Sequence, residues 1–311
     1  MTLINRPPDL KPGDTIGITS PAGAPSQAEI LPAVRVLESW GFKVKIGQTI
    51  GKSDGTFGGT DQERIDDFQA MLDDPNVSAI LCARGGYGFV RIIDRINFEP
   101  LRAHPKWLIG FSDITVLHSH INRQFGLATL HAKMCSGFQE DASQMTQAQL
   151  DSMISIKTAL TGQAVNYSIP VNPNNRSGSA TGYVVGGNLR TLETLVGTNS
   201  DINVENRILF VEDVSEPLYS IDRMFWNLKR SGKLANLAGL LVGGFKIRPD
   251  DDNEVPFSMD IYQIVLEKVR QYHYPVCFDF PVGHQELNLA VKCGVQHQLI
   301  VNKDKVRFVE V

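Results

Sequence analysis

The chain has 311 residues, 42% of them hydrophobic and 21% charged, with a formal net charge of −4. That length makes one large or two medium domains, and the acidic balance excludes a general nucleic-acid binder, which would carry a basic face. No apolar run approaches the roughly 18 residues of a membrane span, no signal segment is visible, and the four cysteines (Cys82, Cys135, Cys277, Cys293) lack C-x-x-C spacing, so a soluble cytoplasmic protein with reduced core thiols and no zinc site is expected.

After the turn Lys11-Pro12-Gly13-Asp14, Thr15 to Thr19 reads as a short strand. A helix is expected from about Gln27 to Trp40, with Ile30, Leu31, Val34 and Leu37 along one side. Gly41 ends it, and Phe42 to Ile46 alternates as a second strand. Asp61 caps a second helix through Ile65, Phe68, Met71 and Leu72. Val77 to Ala83 is an apolar strand that runs into Arg84-Gly85-Gly86-Tyr87-Gly88, and then into a helix through Val90, Ile93 and Ile96. A further strand, Trp107 to Phe111, leads through Ser112 into helical spacing at Ile114, Leu117, Ile121 and Phe125. Strands alternating with helices in this way predict an α/β fold with a mostly parallel, doubly wound sheet. The loops leaving the carboxyl ends of such strands share one edge, where ligands bind.

In residues 161–181 Asn, Ser, Gln, Pro and Gly crowd together, which marks a linker. The chain then divides into a first domain over residues 1–160 and a smaller C-terminal α/β domain over 182–311. In the latter, Gly186-Gly187-Asn188 precedes a helix through Leu189, Leu192 and Leu195, and Arg207 to Val214 is a buried strand carrying Glu212 and Asp213. Tyr219 to Leu228 reads as helix, Leu237 to Phe245 as strand, Ile261 to Val269 as helix and Val276 to Phe280 as strand. The turn Pro281-Val282-Gly283-His284 follows, and two short alternating strands end the chain. Asp250, Asp251 and Asp252 fall in a loop without EF-hand spacing and read as solvated.

Ser112 sits on a sharp strand-to-helix turn. Such a turn lifts a hydroxyl out of the sheet beside a helix N-terminus, which suits a nucleophile. An ordinary N-cap fits the same local sequence, and the G-x-S-x-G pattern is only half present, with Ile114 in place of its last glycine. The Arg84–Gly88 loop is either a plain tight turn or a source of backbone N–H donors for an oxyanion. A serine nucleophile needs a base, and the base needs an orienting group. His118 and His120 point to different faces of one helix, and His131 with Cys135 is either a Cys-His pair or part of the core. His104, His273 and His297 have no special framing. His284 follows Gly283 at a strand end, and Glu212 ends an apolar strand where an unpartnered carboxylate is costly. Serine, acid, histidine is also the chain order of one known triad topology.

Seven stretches go further: Leu10-Lys11-Pro12-Gly13-Asp14, Phe57-Gly58-Gly59-Thr60-Asp61, Ala83-Arg84-Gly85-Gly86-Tyr87-Gly88, Ile109-Gly110-Phe111-Ser112-Asp113-Ile114-Thr115, Gly186-Gly187-Asn188-Leu189, Phe210-Val211-Glu212-Asp213 and Gly283-His284. In these the chain resembles the LD-carboxypeptidase family, serine peptidases of the muramoyl-tetrapeptide carboxypeptidase type, over nearly its whole length. The resemblance implies a nucleophile at Ser112, a triad acid at Glu212 and a base at His284. Backbone N–H groups of Gly86 and Asp113 would hold the oxyanion, with no metal or cofactor. It further implies a homodimer and a substrate with an LD bond between meso-diaminopimelate and terminal D-alanine, cut in cytoplasmic recycling of cell-wall peptides. Arg84 is a candidate for the free terminal carboxylate, or else a structural salt bridge. Two alternatives stand beside this: a self-immunity peptidase cleaving microcin-C-like peptidyl or aminoacyl nucleotides, and a non-catalytic ligand-binding α/β protein.

Overall fold

Two sheets organise the chain in the computed structural model, which describes residues 5–249 and 255–311; the acidic triplet Asp250, Asp251 and Asp252 lies outside the described residues. The first half supplies β1 (Thr15–Thr19), α1 (Gln27–Ser39), β2 (Lys43–Ile46), α2 (Asp61–Asp73), β3 (Val77–Cys82), α3 (Pro100–Ala103), β4 (Trp107–Gly110), α4 (Thr115–Gln124), β5 (Thr129–His131) and α5 (Gln147–Leu160). The second half supplies β6 (Asn166–Ile169), β7 (Gly178–Asn188), α6 (Leu189–Thr194), β8 (Ile208–Val214), α7 (Leu218–Arg230), β9 (Gly239–Lys246), α8 (Ile261–Val269), β10 (Val276–Cys277), β11 (Val291–Cys293), β12 (Gln296–Val301) and β13 (Val306–Glu310).

Local sequence accounts for many of these boundaries. Ser26, Thr60, Thr146 and Asp260 each accept a backbone N–H three residues on, and Glu29, Glu63, Gln149 and Gln263 return the bond. These capping boxes start four of the helices where orphan N–H groups would otherwise need water. The central strands are apolar on both faces because both faces are covered. Ile16, Ile18, Leu81, Trp107 and Leu130 pack on one side, and Phe68, Met71, Ile80, Leu108 and Leu117 on the other. Each such buried side chain contributes about 1.5–3 kcal/mol.

The first sheet runs β11-β5-β4-β3-β1-β2, parallel from β5 to β2. Its outer strand comes from the far end of the chain: β11 lies antiparallel to β5, with Val291 opposite His131. The second sheet runs β10-β9-β8-β7-β12-β13-β6, parallel from β10 to β7 and antiparallel beyond. This is the α/β class, with a mostly parallel first sheet, that the alternating pattern predicts. Among the described residues no helix is long and apolar enough to cross a membrane.

Three local expectations change. The stretch expected as a linker, 161–181, holds β6 and the start of β7; β6 pairs with β13 at the sheet's edge. An edge strand with one solvated face needs few apolar residues, so its Asn and Ser content hid it. The helix expected through Val90 and Ile96 is instead two 3₁₀ turns, Phe89–Arg91 and Ile93–Arg95. So short a run, with two adjacent β-branched isoleucines at Ile92 and Ile93, favours tight turns over an α-helix. The strand expected over Val276 to Phe280 pairs only at Val276–Cys277.

The halves dock through polar contacts around α4 and α5. Thr115 Oγ1 accepts the Asn188 N–H at 3.0 Å, the Arg207 guanidinium donates to Asn122 and the Ser119 hydroxyl to the Ser200 carbonyl. The segment after His284 is tied back as well. Lys133 Nζ donates to the Glu286 carbonyl at 2.6 Å, and Ser152 and Ser155 accept from the N–H groups of Asn288 and Ala290, both at 2.9 Å. These ties bring the ends of β4 and β8 to one place.

Candidate active site

Ser112 stands one residue beyond β4 with φ of +64°. That left-handed conformation costs a residue with a Cβ about 1–2 kcal/mol. Ser112 is not a cap residue: Phe111 holds the cap position of the turn Ser112–Ile114 and Ile114 that of α4, neither with a side-chain cap hydrogen bond. The N-cap reading therefore fails, and the hydroxyl is held out from the sheet by a strained turn.

Ser112 Oγ lies 3.2 Å from His284 Nε2, and His284 Nδ1 lies 2.7 Å from Glu212 Oε2. The same carboxylate oxygen accepts the His284 backbone N–H at 3.3 Å. Glu212 is fully buried near the end of β8, and its Oε1 meets no hydrogen-bond partner among the described residues. A carboxylate can only accept, so the imidazole proton belongs on Nδ1 and Nε2 is left to accept from the serine. Phe111 packs against the imidazole, ring centroids 4.9 Å apart. Gly283, at φ +104°, allows the approach: a Cβ there would stand 2.5 Å from the Glu212 Cβ and Oε2.

The loop at Gly85 and Gly86 lies against Ser112. A Cβ on Gly85 would stand 3.0 Å from the Ser112 Cβ and 3.2 Å from its Oγ. Gly86, at φ +95°, lines a cavity of about 370 Å³ together with Tyr87, Ser112, Asn188, Arg190 and Glu216. Asp113 also reaches that cavity, and its carboxylate accepts the Phe89 N–H at 2.8 Å, which ties the loop to the serine turn. Burial pushes the Asp113 carboxyl up to about 6. It does the same to Asp213, whose oxygens accept from the Asn188 amide and the Arg190 N–H, both at 2.9 Å.

Of the residues singled out in the sequence, Ser112, Asp113, Glu212, His284 and Gly86 come together. Arg84 does not join them: its guanidinium pairs with Glu29 on α1 at 3.0 Å, the salt-bridge alternative. The Cys135 thiol is buried and pushed up to about 12, so it is no partner for His131 as a nucleophile. His118 spends its ring nitrogens on Thr129 Oγ1 and the Gly110 carbonyl.

Sequence reasoning passed over Arg190 and Glu216. The signal available was a basic residue in the first turn of a helix, where the dipole disfavours it. Arg190 is the second residue of α6.

Comparison with known proteins fits this geometry. Residues 16–132 match the model of the LD-carboxypeptidase N-terminal domain, and residues 181–299 that of its C-terminal domain. A probable murein peptide carboxypeptidase of Bacillus subtilis is 35% identical, over 95% of this chain and 91% of its own length. A microcin self-immunity protein of Escherichia coli is 25% identical, over 97% and 94%. The crystal structure of muramoyltetrapeptide carboxypeptidase from Oxalobacter formigenes superposes with a TM-score of 0.81 at 24% identity, over 95% of this chain and 98% of that one. The chain belongs to the LD-carboxypeptidase family.

Proposed function

We propose that this chain is a serine carboxypeptidase that hydrolyses the bond between the L-centre of meso-diaminopimelate and the terminal D-alanine of murein tetrapeptides, in cytoplasmic peptidoglycan recycling. One observation carries the reading: the unbroken series from Ser112 Oγ through the His284 ring to a buried Glu212, at 3.2 and 2.7 Å. In this mechanism His284 Nε2 takes the Ser112 proton as Oγ attacks the scissile carbonyl. Glu212 holds Nδ1–H and stabilises the imidazolium, and the backbone N–H groups of Gly86 and Asp113 hold the oxyanion. The imidazolium returns its proton to the leaving amine, and water then releases the acyl group from Ser112. The relative named as a probable murein peptide carboxypeptidase, at 35% identity, supports the choice of substrate.

One observation favours the nucleotide reading. Tyr87 is exposed at the cavity and could stack on a base. Against it, Asp113, Asp213 and Glu216 line the same cavity and Arg190 is the one basic residue there among the described residues, a charge balance that repels a phosphate.

The test offers a tetrapeptide ending in D-Ala, its L-Ala epimer and a peptidyl nucleotide at equal concentration. Exchanging side chain and hydrogen at the terminal Cα displaces the carbonyl from its donors, and small misplacements cost about 10²-fold in rate, so kcat/KM should favour D-Ala by at least that factor. Fast cleavage of the nucleotide with little action on the D-Ala peptide would replace this substrate. Ser112→Ala should abolish turnover of whichever substrate is cut, by about 10⁴-fold or more. The homodimer that the resemblance implies is part of the same proposal, and light scattering of the purified protein tests it.

A further inference from the structure

Arg190 and Glu216 have no part in the chemistry just proposed, yet they face the same cavity as Ser112. Two carboxylates flank the Arg190 guanidinium, and each is fixed by its other oxygen. Glu216 Oε2 accepts from the Ser220 hydroxyl at 2.5 Å, and Glu193 Oε1 from the Asn227 amide at 2.7 Å. Their remaining oxygens stand 3.6 and 3.7 Å from the guanidinium, too far for hydrogen bonds. Among the described residues the guanidinium therefore has no hydrogen-bonded acceptor, although it is held at the cavity wall.

Three facts argue that this arrangement does not serve the fold. Ion pairs of a half-exposed arginine at such distances contribute little to stability. A cation in the first turn of α6 opposes the helix dipole. Its backbone N–H is already satisfied by Asp213. A guanidinium with a free face matches a carboxylate in two parallel hydrogen bonds. The free oxygen of Glu216 on the same wall matches an ammonium. A purely anionic group would meet Glu216, Glu193 and Asp213 around a single cation, and a purely cationic one would meet Arg190.

We infer that Arg190 and Glu216 form a specificity-determining pair that reads a zwitterionic amino-acid end, carried on the side chain of the residue before the scissile bond. The carboxylate is received by Arg190 and the neighbouring ammonium by Glu216 Oε1. The inference rests on the peptidase reading and adds to it which residues distinguish a side chain ending in both charges from one ending in an amine alone.

The test uses tetrapeptides ending in D-Ala whose third residue is meso-diaminopimelate, the same residue with its side-chain carboxyl amidated, or with its side-chain amine acetylated. The wild-type chain should prefer the free zwitterion over the amide by roughly tenfold to a hundredfold in kcat/KM, the value of a charge-assisted bidentate bond. R190Q should bring that ratio close to one, with R190K restoring part of it. E216Q should instead narrow the preference for the free amine over the acetylated one. If R190Q lowers both members of the acid and amide pair equally, Arg190 does not read this carboxylate and the inference falls. It falls too if the R190Q loss follows amidation of the terminal D-Ala rather than of the side chain. Should the wild type cleave none of the peptides, the hydrolytic reading fails separately. Calorimetric titration of the Ser112→Ala protein then decides the pair, which requires tighter binding of the zwitterion that R190Q abolishes; equal or absent binding overturns it.

Discussion

Replacing Glu212 by glutamine tests the candidate site at its most buried point. The carboxylate is fully buried, with one oxygen taking both the Nδ1–H and the backbone N–H of His284 and the other without a partner among the described residues. Glutamine fits the same space. With its carbonyl at the Oε2 position it keeps both hydrogen bonds but carries no charge to stabilise the imidazolium; with its amide there, the backbone N–H loses its acceptor and the ring proton moves to Nε2. An imidazole protonated at Nε2 cannot accept from Ser112. The loss of orientation and of imidazolium stabilisation costs a serine hydrolase about 10⁴-fold, or about 5 kcal/mol at 1.36 kcal/mol per decade. Folding should respond in the opposite sense, because a neutral amide replaces a buried charge; Tm should hold or rise. The assay is kcat/KM on the D-Ala tetrapeptide beside scanning calorimetry of the same preparation. Activity within about tenfold of wild type in a folded protein would refute the role of Glu212. So would a loss of activity that merely tracks the unfolded fraction.

Other tests follow from the same geometry. Ser112→Gly should melt higher than Ser112→Ala by about 1 kcal/mol, since only glycine relieves the strain of φ +64°; equal melting would remove the strain argument. Gly283→Ala should lower kcat by about 10²-fold or more through displacement of His284 from Glu212, and a crystal structure retaining the 2.7 Å contact would contradict this. Burial holds the Asp113 carboxyl at about 6, above the ordinary value near 4. The native state therefore binds this proton more tightly than the unfolded chain, and stability falls as pH rises from about 4 to 6. Asp113→Asn should flatten that fall in thermal melts by about 1–3 kcal/mol, leaving the share due to Asp213, and an unchanged slope would contradict the burial argument. Chelation by EDTA should leave turnover intact, because every proposed step runs through Ser112, His284, Glu212 and backbone donors; loss restored by zinc would place the reaction in another class.

Much of this architecture is legible in local periodicity. Apolar spacing marks α8 at its observed bounds, Ile261–Val269, and the alternation of strand and helix gives the parallel first sheet. What local pattern could not carry is pairing over distance. β6 is half polar because one face meets solvent, and β11 is three residues long, so neither announces which sheet it joins. On local sequence Ser112 reads more readily as a cap than as an elbow until its φ is known, since both begin a helix. Arg84 and Arg190 each lie close to a glycine pair, Gly85-Gly86 and Gly186-Gly187, and only tertiary placement separates the one spent on Glu29 from the one at the cavity. The Ser112, Glu212 and His284 set was legible through motif resemblance; nothing in spacing alone brings residues so far apart in the chain into contact.

The antiparallel strand β11 also has a consequence for how the molecule comes into being. Its partner β5 emerges from the ribosome about 160 residues earlier, so the first sheet must wait with an open edge until residues 291–293 have been made. Closing so long a loop is entropically slow to reward, and an exposed parallel-sheet edge invites pairing with other chains meanwhile. His284 travels in the same late segment, seven residues before β11 begins. Sheet closure and delivery of the histidine to Ser112 are thus one event in time. A nascent or truncated chain that stops short of residue 284 carries Ser112 without His284, and the contact between them arises only once that segment has folded back.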